Sequence, residues 1–416
     1  MLTVEDALER VLADVPLLSA EQVPLHEAYG RVLAEDIIAS EDIPRWNNSA
    51  MDGYAVRAAD TDEGEVVLRL NEVVPGGGAP TMRVEEGTAT MVMTGAPLPE
   101  GADAVVRIED TDGAFDDEVR IYGPVKPGQY VREQGQDVRR NELVLRAGRR
   151  LRPSEVGMAA ALGLPTLFMV RRPVVALLGT GNELVMPGRD LGPGQIYAAN
   201  NASLGGLVEE AGGVVLDAGI APDDIEGLLA RLDYCADQAD VVVTTGGVSV
   251  GAFDLVREAH QRLGLTEEFW KVRLKPGMPL SVGRLVRETV PVQFFGLPGN
   301  PVSCMVTFLQ FVRPYLLRAM GVEHAFLPMV QARLAADFVN SSDRNQLVRV
   351  TIEDGEDGLW AWVTGSQSSG VLTSMVQAHG LMLLSPDRSV VRAGTTVTVQ
   401  VIDHGFGDRT QPGYIW

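Results

Sequence analysis

Cysteine, histidine and positive charge are all scarce in this sequence. Of its 416 residues two are cysteine and five are histidine, and 35 lysines plus arginines face 56 acids, for a formal charge of −21. Cys235 and Cys304 lie far apart in apolar surroundings without CxxC partners, which argues against a structural zinc site and for two buried thiols. His26, His260, His324, His379 and His404 are scattered with no HExxH-type spacing, so a histidine-built metal centre is not expected. The acid excess disfavours nucleic acid or an anionic membrane surface as a partner, because a polyanion is repelled at long range. It is compatible with plain solubility, and with a small anion held by a metal in a local basic pocket. Long apolar runs are missing too: none approaches 18 residues, and MLTVEDALERVLADV carries acids where a secretory signal needs an unbroken apolar core. The expectation is a soluble, cytoplasmic protein.

What is present is enough apolar residue, 45% of the chain, for several cores and roughly two to four domains. Leu2, Val4, Ala7, Leu8, Val11 and Leu12 recur at helical spacing behind Thr3, a candidate N-cap. From 64 to 150, short stretches such as EVVLRLNEV, GTATMVMTG and ADAVVRIED alternate with PGGG, PLPEG and TDG, the pattern of a β domain. Residues 151–165 suit a small-residue helix. Strand and helix stretches then alternate through RRPVVALLGTGNEL, AANNASLGGLVEEAG, GVVLDAGIAPDD, IEGLLARLDYCAD, ADVVVTTGG, LVREAHQRLG, PVQFFGLPGNP and one long apolar helix, VSCMVTFLQFVRPYLLRAM. This grammar predicts a doubly wound, mainly parallel sheet. Short strands return over 327–403 and predict a small barrel.

Ligands of an open parallel sheet lie beyond the carboxyl ends of its strands. Three glycine loops fall at that edge: Gly179-Thr180-Gly181-Asn182-Glu183, Thr244-Thr245-Gly246-Gly247-Val248-Ser249, and Gly296-Leu297-Pro298-Gly299-Asn300-Pro301-Val302-Ser303. The third enters a helix with Asn300 suited to the N-cap and Pro301 to the first turn. Exposed amides and a helix start together suit an anion, although glycines also permit tight turns in any α/β fold. Glu183 and Asp254 each follow such a loop, and two carboxylates beside phosphate-holding amides call for a hard cation such as Mg²⁺ between them. In FWKVRLKPGMP, period-two alternation puts Lys271, Arg273 and Lys275 on one strand face. That cluster suits a polyanionic substrate or is a solvated face. NNSAMDGYA, with Asp52, and TGAPLPEGAD read as rigid turns, and no chemistry follows from their composition.

In order and spacing, these segments resemble the molybdopterin molybdenumtransferase family, related to the E domain of gephyrin. The resemblance rests on GRVLAEDI (30–37), NSAMDGYAVRAAD (48–60), MTGAPLPEGADAVV (93–106), GQDV (135–138), LLGTGNEL (177–184), TTGGVSVGAFD (244–254), FWKVRLKPGMP (269–279) and GLPGNPVS (296–303). It implies a multidomain α/β plus β fold: a helical stem (1–45 with 139–168), an inserted β domain (46–138), an α/β molybdopterin-binding domain (169–322) and a C-terminal β-barrel (323–416). It implies a homodimer whose cleft is shared between the α/β domain of one subunit and the inserted domain of the other. It further implies Mg²⁺-dependent insertion of molybdate into adenylylated molybdopterin with release of AMP, with the molybdopterin adenylyltransferase and acceptor molybdoenzymes as further partners.

By the same resemblance Asp52, Thr94 and Asp137 are functional positions of the opposing wall. Glu183 and Asp254 are metal-side groups, and Lys271 and Lys275 face the phosphoryl group or the molybdate. Substrate-binding positions are Gly179, Thr180, Gly181, Asn200, Thr245, Gly246, Gly247, Ser249, Pro298, Gly299, Asn300 and Ser303, with Arg344 and Ser374 from the barrel. The sequence departs from the family at Asn182, Ala198, Ala252, Phe253 and Met278, which leaves fewer spare carboxylates and makes Asn200 the contact of its segment. A non-catalytic molybdopterin-binding or gephyrin-like scaffold is the alternative. A lone adenylyltransferase is disfavoured by the length of the chain and by the residues Val-Ser after the glycine pair.

Overall fold

The computed structural model describes residues 1–113, 116–246, 252–287, 290–403 and 405–407, without the side chains of 252–254 and 290. The chain forms two compact units, one of residues 1–22, 30–34 and 168–416, the other of residues 23–29 and 35–167.

The larger unit is built on a six-stranded sheet in the order Val214–Ala221, Val174–Thr180, Val241–Thr245, Val290–Leu297, Ser281–Arg287, Thr266–Trp270. The first four strands are parallel, and the last two add antiparallel, so the sheet is mainly parallel as the strand and helix alternation predicts. Alternate residues of each strand face opposite sides, as the pleat requires. Val175, Leu177, Val241, Val243 and Phe295 join one core; Ala176, Leu178, Val242 and Phe294 join the other. Helices Ala199–Glu210 and Pro301–Thr307 cover the first face. Helix Ile225–Gln238 covers the second, with its Leu228, Leu232 and Cys235 in that core, and Val256 and Ala259 join it from helix Ala252–Leu263. Both cysteines are buried free thiols, and burial pushes Cys235 up to about 11 and Cys304 higher still.

The N-terminal helix, Val4–Leu12, carries the expected Thr3 cap in a full capping box with Asp6. Its Ala7 and Val11 are buried in the first α/β core, so residues 1–22 pack with this unit, while the expected stem joins them to 139–168. The expected single helix after Asn300 is instead three pieces, Pro301–Thr307, a π-turn Phe308–Val312, and Arg313–Ala319. Pro314 has no amide for the preceding turn, and the wider turn absorbs the missing bond. Beyond it, strands Asn345–Gly355, Gly358–Val363, Met329–Leu334, Thr396–Val401 and Gly380–Leu384 pair in that order. The last pairs back to the first and closes a five-stranded barrel around Leu334, Val348, Val350 and Met382.

The smaller unit centres on a five-stranded sheet in the order Ala104–Arg107, Gly53–Val56, Thr88–Val92, Val66–Val74, Glu118–Ile121, with its core around Tyr54, Leu68, Met91 and Val106. Helix Pro153–Ala161 falls within the expected 151–165 and begins with the proline at its first position.

Candidate functional site

The carboxyl edge of the six-stranded sheet brings the three glycine loops together. A row of paired residues, Leu178, Thr244, Gly296, Ser281 and Trp270, crosses the sheet just beneath that edge. Gly179, Thr245, Leu297 and Lys271 each follow it by one residue, so one residue of each loop stands level with the Lys271 backbone.

The loops approach one another closely, and at Gly246 they leave no space for a side chain. Gly246 has φ +86°, a conformation that favours glycine, and a Cβ there would lie 2.5 Å from the Thr180 carbonyl oxygen. The Thr180 hydroxyl donates to the Thr245 carbonyl at 3.2 Å, and the Gly246 amide donates to the Leu297 carbonyl at 3.3 Å. A Cβ on Gly299 would stand 3.4 Å from the Gly246 Cα. Asn200 ties in the fourth segment by donating to the Gly299 carbonyl at 2.8 Å. Gly247 and Ser249 lie outside the described residues, as does the side chain of Asp254.

Glu183 is exposed at this edge, its carboxylate folded over Gly181 so closely that a Cβ there would meet Oε2 at 2.3 Å. Asp223, which the sequence reading passed over, accepts the Asn182 amide at 3.1 Å and adds a second carboxylate to the same loop. Its place in IAPDD, immediately after a strand ending at Ala221, was the available signal. Among the described residues no group of three or more His, Cys, Asp or Glu is placed to hold a metal ion. One or two carboxylates nevertheless suit Mg²⁺, which retains waters and takes further oxygens from phosphates.

The lysine strand departs from expectation. The strand ends at Trp270 and Lys271 takes φ +74°, at a cost of about 1–2 kcal/mol for a side chain with a Cβ. Alternation is therefore broken, and the three cations do not share a strand face. The Lys271 ammonium lies 4.3 Å from the centre of the Trp270 ring, Arg273 donates to the Asp343 carbonyl at 3.1 Å, and Lys275 pairs in a short strand beside Gln346 of the barrel.

Asn300 occupies the N-cap position and Pro301 follows it, but the Asn300 side chain does not cap. It donates instead to the Ser369 hydroxyl at 3.0 Å, and the Ser369 carbonyl accepts the Val302 amide at 3.1 Å. Ser303 is buried, its carbonyl accepting from Thr307. The barrel loop around Ser369 is organised by Arg349, also missed by the sequence reading. Arg349 is 1% exposed, donating to the Ser374 hydroxyl at 3.1 Å, the Ser368 carbonyl at 3.0 Å and the Ser366 carbonyl at 3.4 Å. Burial lowers it to about 10, which leaves it charged at neutral pH. Arg344 sits beside Asp343 at 3.3 Å, while Ser374 is buried as a partner of Arg349. The signal for Arg349 was its place between Val348 and Val350 of the barrel core, on the opposite face of the strand.

In the smaller unit, Asp52 and Thr94 meet. The Thr94 amide and hydroxyl both donate to Asp52 Oδ1, at 2.7 and 2.9 Å, and the backbone bond, then the hydroxyl, holds the carboxyl below its usual range. Gly53 beside it is required by space, since a Cβ would meet the Val106 carbonyl oxygen at 1.9 Å. Asp137 is exposed, its amide donating to the Ile43 carbonyl at 3.0 Å.

Three stretches match family models: residues 2–163 the MoeA N-terminal region (domain I and II), 176–318 a probable molybdopterin binding domain, and 331–402 the MoeA C-terminal region (domain IV). The chain is 39% identical to molybdopterin molybdenumtransferase 2 of Mycobacterium tuberculosis over 91% of its own length and 94% of that protein. The chain belongs to the molybdopterin molybdenumtransferase family. It is accordingly a transferase of molybdenum cofactor biosynthesis. The Haemophilus influenzae molybdopterin molybdenumtransferase is 34% identical over 98% of this chain and 100% of that one. The crystal structure of the molybdopterin biosynthesis MoeA protein from Pyrococcus horikoshii superposes with a TM-score of 0.81 at 34% identity, covering 96% of this chain and 99% of that one. Among the described residues no helix is long and apolar enough to cross a membrane.

Proposed function

We propose that this molybdenumtransferase inserts molybdate into adenylylated molybdopterin and releases AMP, with Mg²⁺ as the ion of the phosphate site. The observation that carries this reading is the contact of Gly246 with Thr180 and Gly299, which brings the three glycine loops, and with them their backbone amides as the donors we assign, to the edge where the Lys271 backbone also stands. Those amides hold the phosphate and pterin of the substrate, as preorganised donors that need no rearrangement during reaction. Glu183 and Asp254 hold Mg²⁺, with Asp223 at hand. Bound there, the ion neutralises charge on the phosphate that leaves with AMP. Lys271 and Lys275 stabilise the same developing charge. Arg349, with the serines of 366–374 around it, supplies positive charge for the molybdate dianion beside Asn300.

The four-part domain division and the homodimer belong to this proposal. Asp52, Thr94 and Asp137 act on the site from a second subunit, and the Asp52–Thr94 pair is preformed for that purpose. The adenylyltransferase supplies the substrate, and acceptor molybdoenzymes receive the product in the cytoplasm. The test is incubation of purified protein with adenylylated molybdopterin, Mg²⁺ and molybdate, followed by chromatography for AMP. Release dependent on both ions is expected. Bound substrate with no AMP overturns the reading in favour of a binding protein.

A further inference from the structure

The chain holds three lysines, Lys126, Lys271 and Lys275, within a total of 35 lysines and arginines. Where positive charge is otherwise carried by arginine, two of the three amines fall within five residues of each other beside the candidate site. Lys271 is also one of four non-glycine residues with positive φ among those described, so its side chain leaves the strand in a direction that regular backbone would not give it.

The indole of Trp270 receives it. The Lys271 ammonium stands 4.3 Å from the ring centre, and the Arg257 guanidinium, from the helix that follows the second glycine loop, stands 5.8 Å from the same ring. Arg257 is itself ion-paired with Glu267 at 3.3 Å, so the ring is tied to its own strand and to that helix. The backbone of Lys271 is pinned on both sides, its amide donating to the Leu280 carbonyl at 3.0 Å and its carbonyl accepting the Leu2 amide at 3.4 Å. Backbone and ring together restrict the amine of a residue whose backbone stands level with Gly179, Thr245 and Leu297.

We propose that Trp270 is a positioning residue for the Lys271 amine, holding it on the indole face at the glycine-loop edge. The consequence for catalysis rests on the role given to Lys271 above; the placement does not. An ammonium on an aromatic face is attracted by the ring quadrupole and loses part of its freedom, so an amine prepared in this way reaches a developing charge with less ordering left to do.

The experiment is amine footprinting of the full-length protein with a limiting acylating reagent, reading Lys271 and Lys275 against exposed Lys126 by peptide mass spectrometry. Trp270→Leu keeps an apolar side chain and removes the ring face, while Trp270→Phe keeps a smaller face. The Leu variant is expected to raise Lys271 acylation relative to Lys126 by about two- to five-fold, with Lys275 unchanged and the Phe variant close to the parent. An unchanged Lys271 ratio overturns the proposal, and so does an equal rise at Lys271 and Lys275, which reports loosening of the whole segment. In AMP release, the Leu variant should lose kcat with KM for adenylylated molybdopterin preserved, and the Phe variant should recover most of it. Full activity of Lys271→Ala would overturn the role of Lys271 in the reaction, whereas the footprint decides the placement alone.

Discussion

Gly246 stands so close to Thr180 that a Cβ added to it would lie 2.5 Å from the Thr180 carbonyl oxygen. This single approach joins two of the three glycine loops, and its φ of +86° independently excludes most side chains. Gly246→Ala therefore meets two penalties, about 1–2 kcal/mol for the backbone conformation and more for displacing a carbonyl within the sheet. The variant should melt several degrees lower, at about 2–4 °C per kcal/mol for a unit of this size, and should lose binding of adenylylated molybdopterin. Calorimetry with and without that ligand measures both, and a variant with parental melting and parental ligand stabilisation would refute the steric account.

Arg349 offers a sharper separation of stability from function. Its guanidinium donates to Ser374, Ser368 and Ser366 while 1% exposed. Arg349→Met removes a buried charge but leaves loop carbonyls without donors, a cost of about 1–3 kcal/mol. The molybdate concentration for half-maximal AMP release should rise about ten-fold or more, the scale of one charged hydrogen bond. Arg349→Lys keeps the charge without the fork that reaches three oxygens, and should recover little of that affinity. A parental molybdate dependence in both variants would remove Arg349 from the oxyanion site.

These two residues show what the sequence could and could not disclose. Gly246 was legible because a glycine after a buried strand has a local meaning, and strand and helix spacing put its loop at the correct edge. Arg349 was only half legible: alternation between Val348 and Val350 marks a charge in a barrel strand but places it on a face that normally meets water, and its importance comes from burial by a loop some twenty residues later in the chain. The shared face of Lys271, Arg273 and Lys275 failed for a related reason: period two predicts it only while the backbone remains extended, and one residue at φ +74° ends that. The barrel was legible as short strands, but its closure depends on pairing between Asn345–Gly355 and Gly380–Leu384, which no local pattern encodes. Asp52 and Thr94 stood out through family resemblance alone, and their contact is a product of the fold of the smaller unit.

That contact makes a pH prediction. Two hydrogen bonds from Thr94 lower the pKa of Asp52 from 3.8. A depressed carboxyl contributes stability that is present above its unfolded pKa and lost as pH falls through the folded one, so the pair matters above pH 3.8 and fades below it. Thr94→Val removes the hydroxyl and keeps the amide. The Asp52 titration, followed by carboxyl-carbon NMR, should move upward, while stability at pH 7 changes little at this exposed site. AMP release should fall if the pair acts on the opposing site. An unmoved Asp52 titration would show that the hydroxyl contributes nothing to holding the carboxylate.

Glu183 carries the most direct test of the ion. Its carboxylate is exposed and folded over Gly181, so Glu183→Gln preserves shape and contact while removing charge. Stability should stay within about 0.5 kcal/mol of the parent, as for exposed substitutions away from structural features. AMP release should fall by about 10²–10³, the scale of losing one preorganised electrostatic group at a reacting centre. Because Asp223 holds the neighbouring amide of Asn182 at 3.1 Å, its carboxylate can partly replace the lost charge. Residual activity of Glu183→Gln should then require more Mg²⁺ than the parent, and adding Asp223→Asn should abolish that residue of activity. Activity of the single variant within two-fold of the parent, at unchanged Mg²⁺, would place the ion elsewhere and leave Glu183 as the packing partner of a glycine turn.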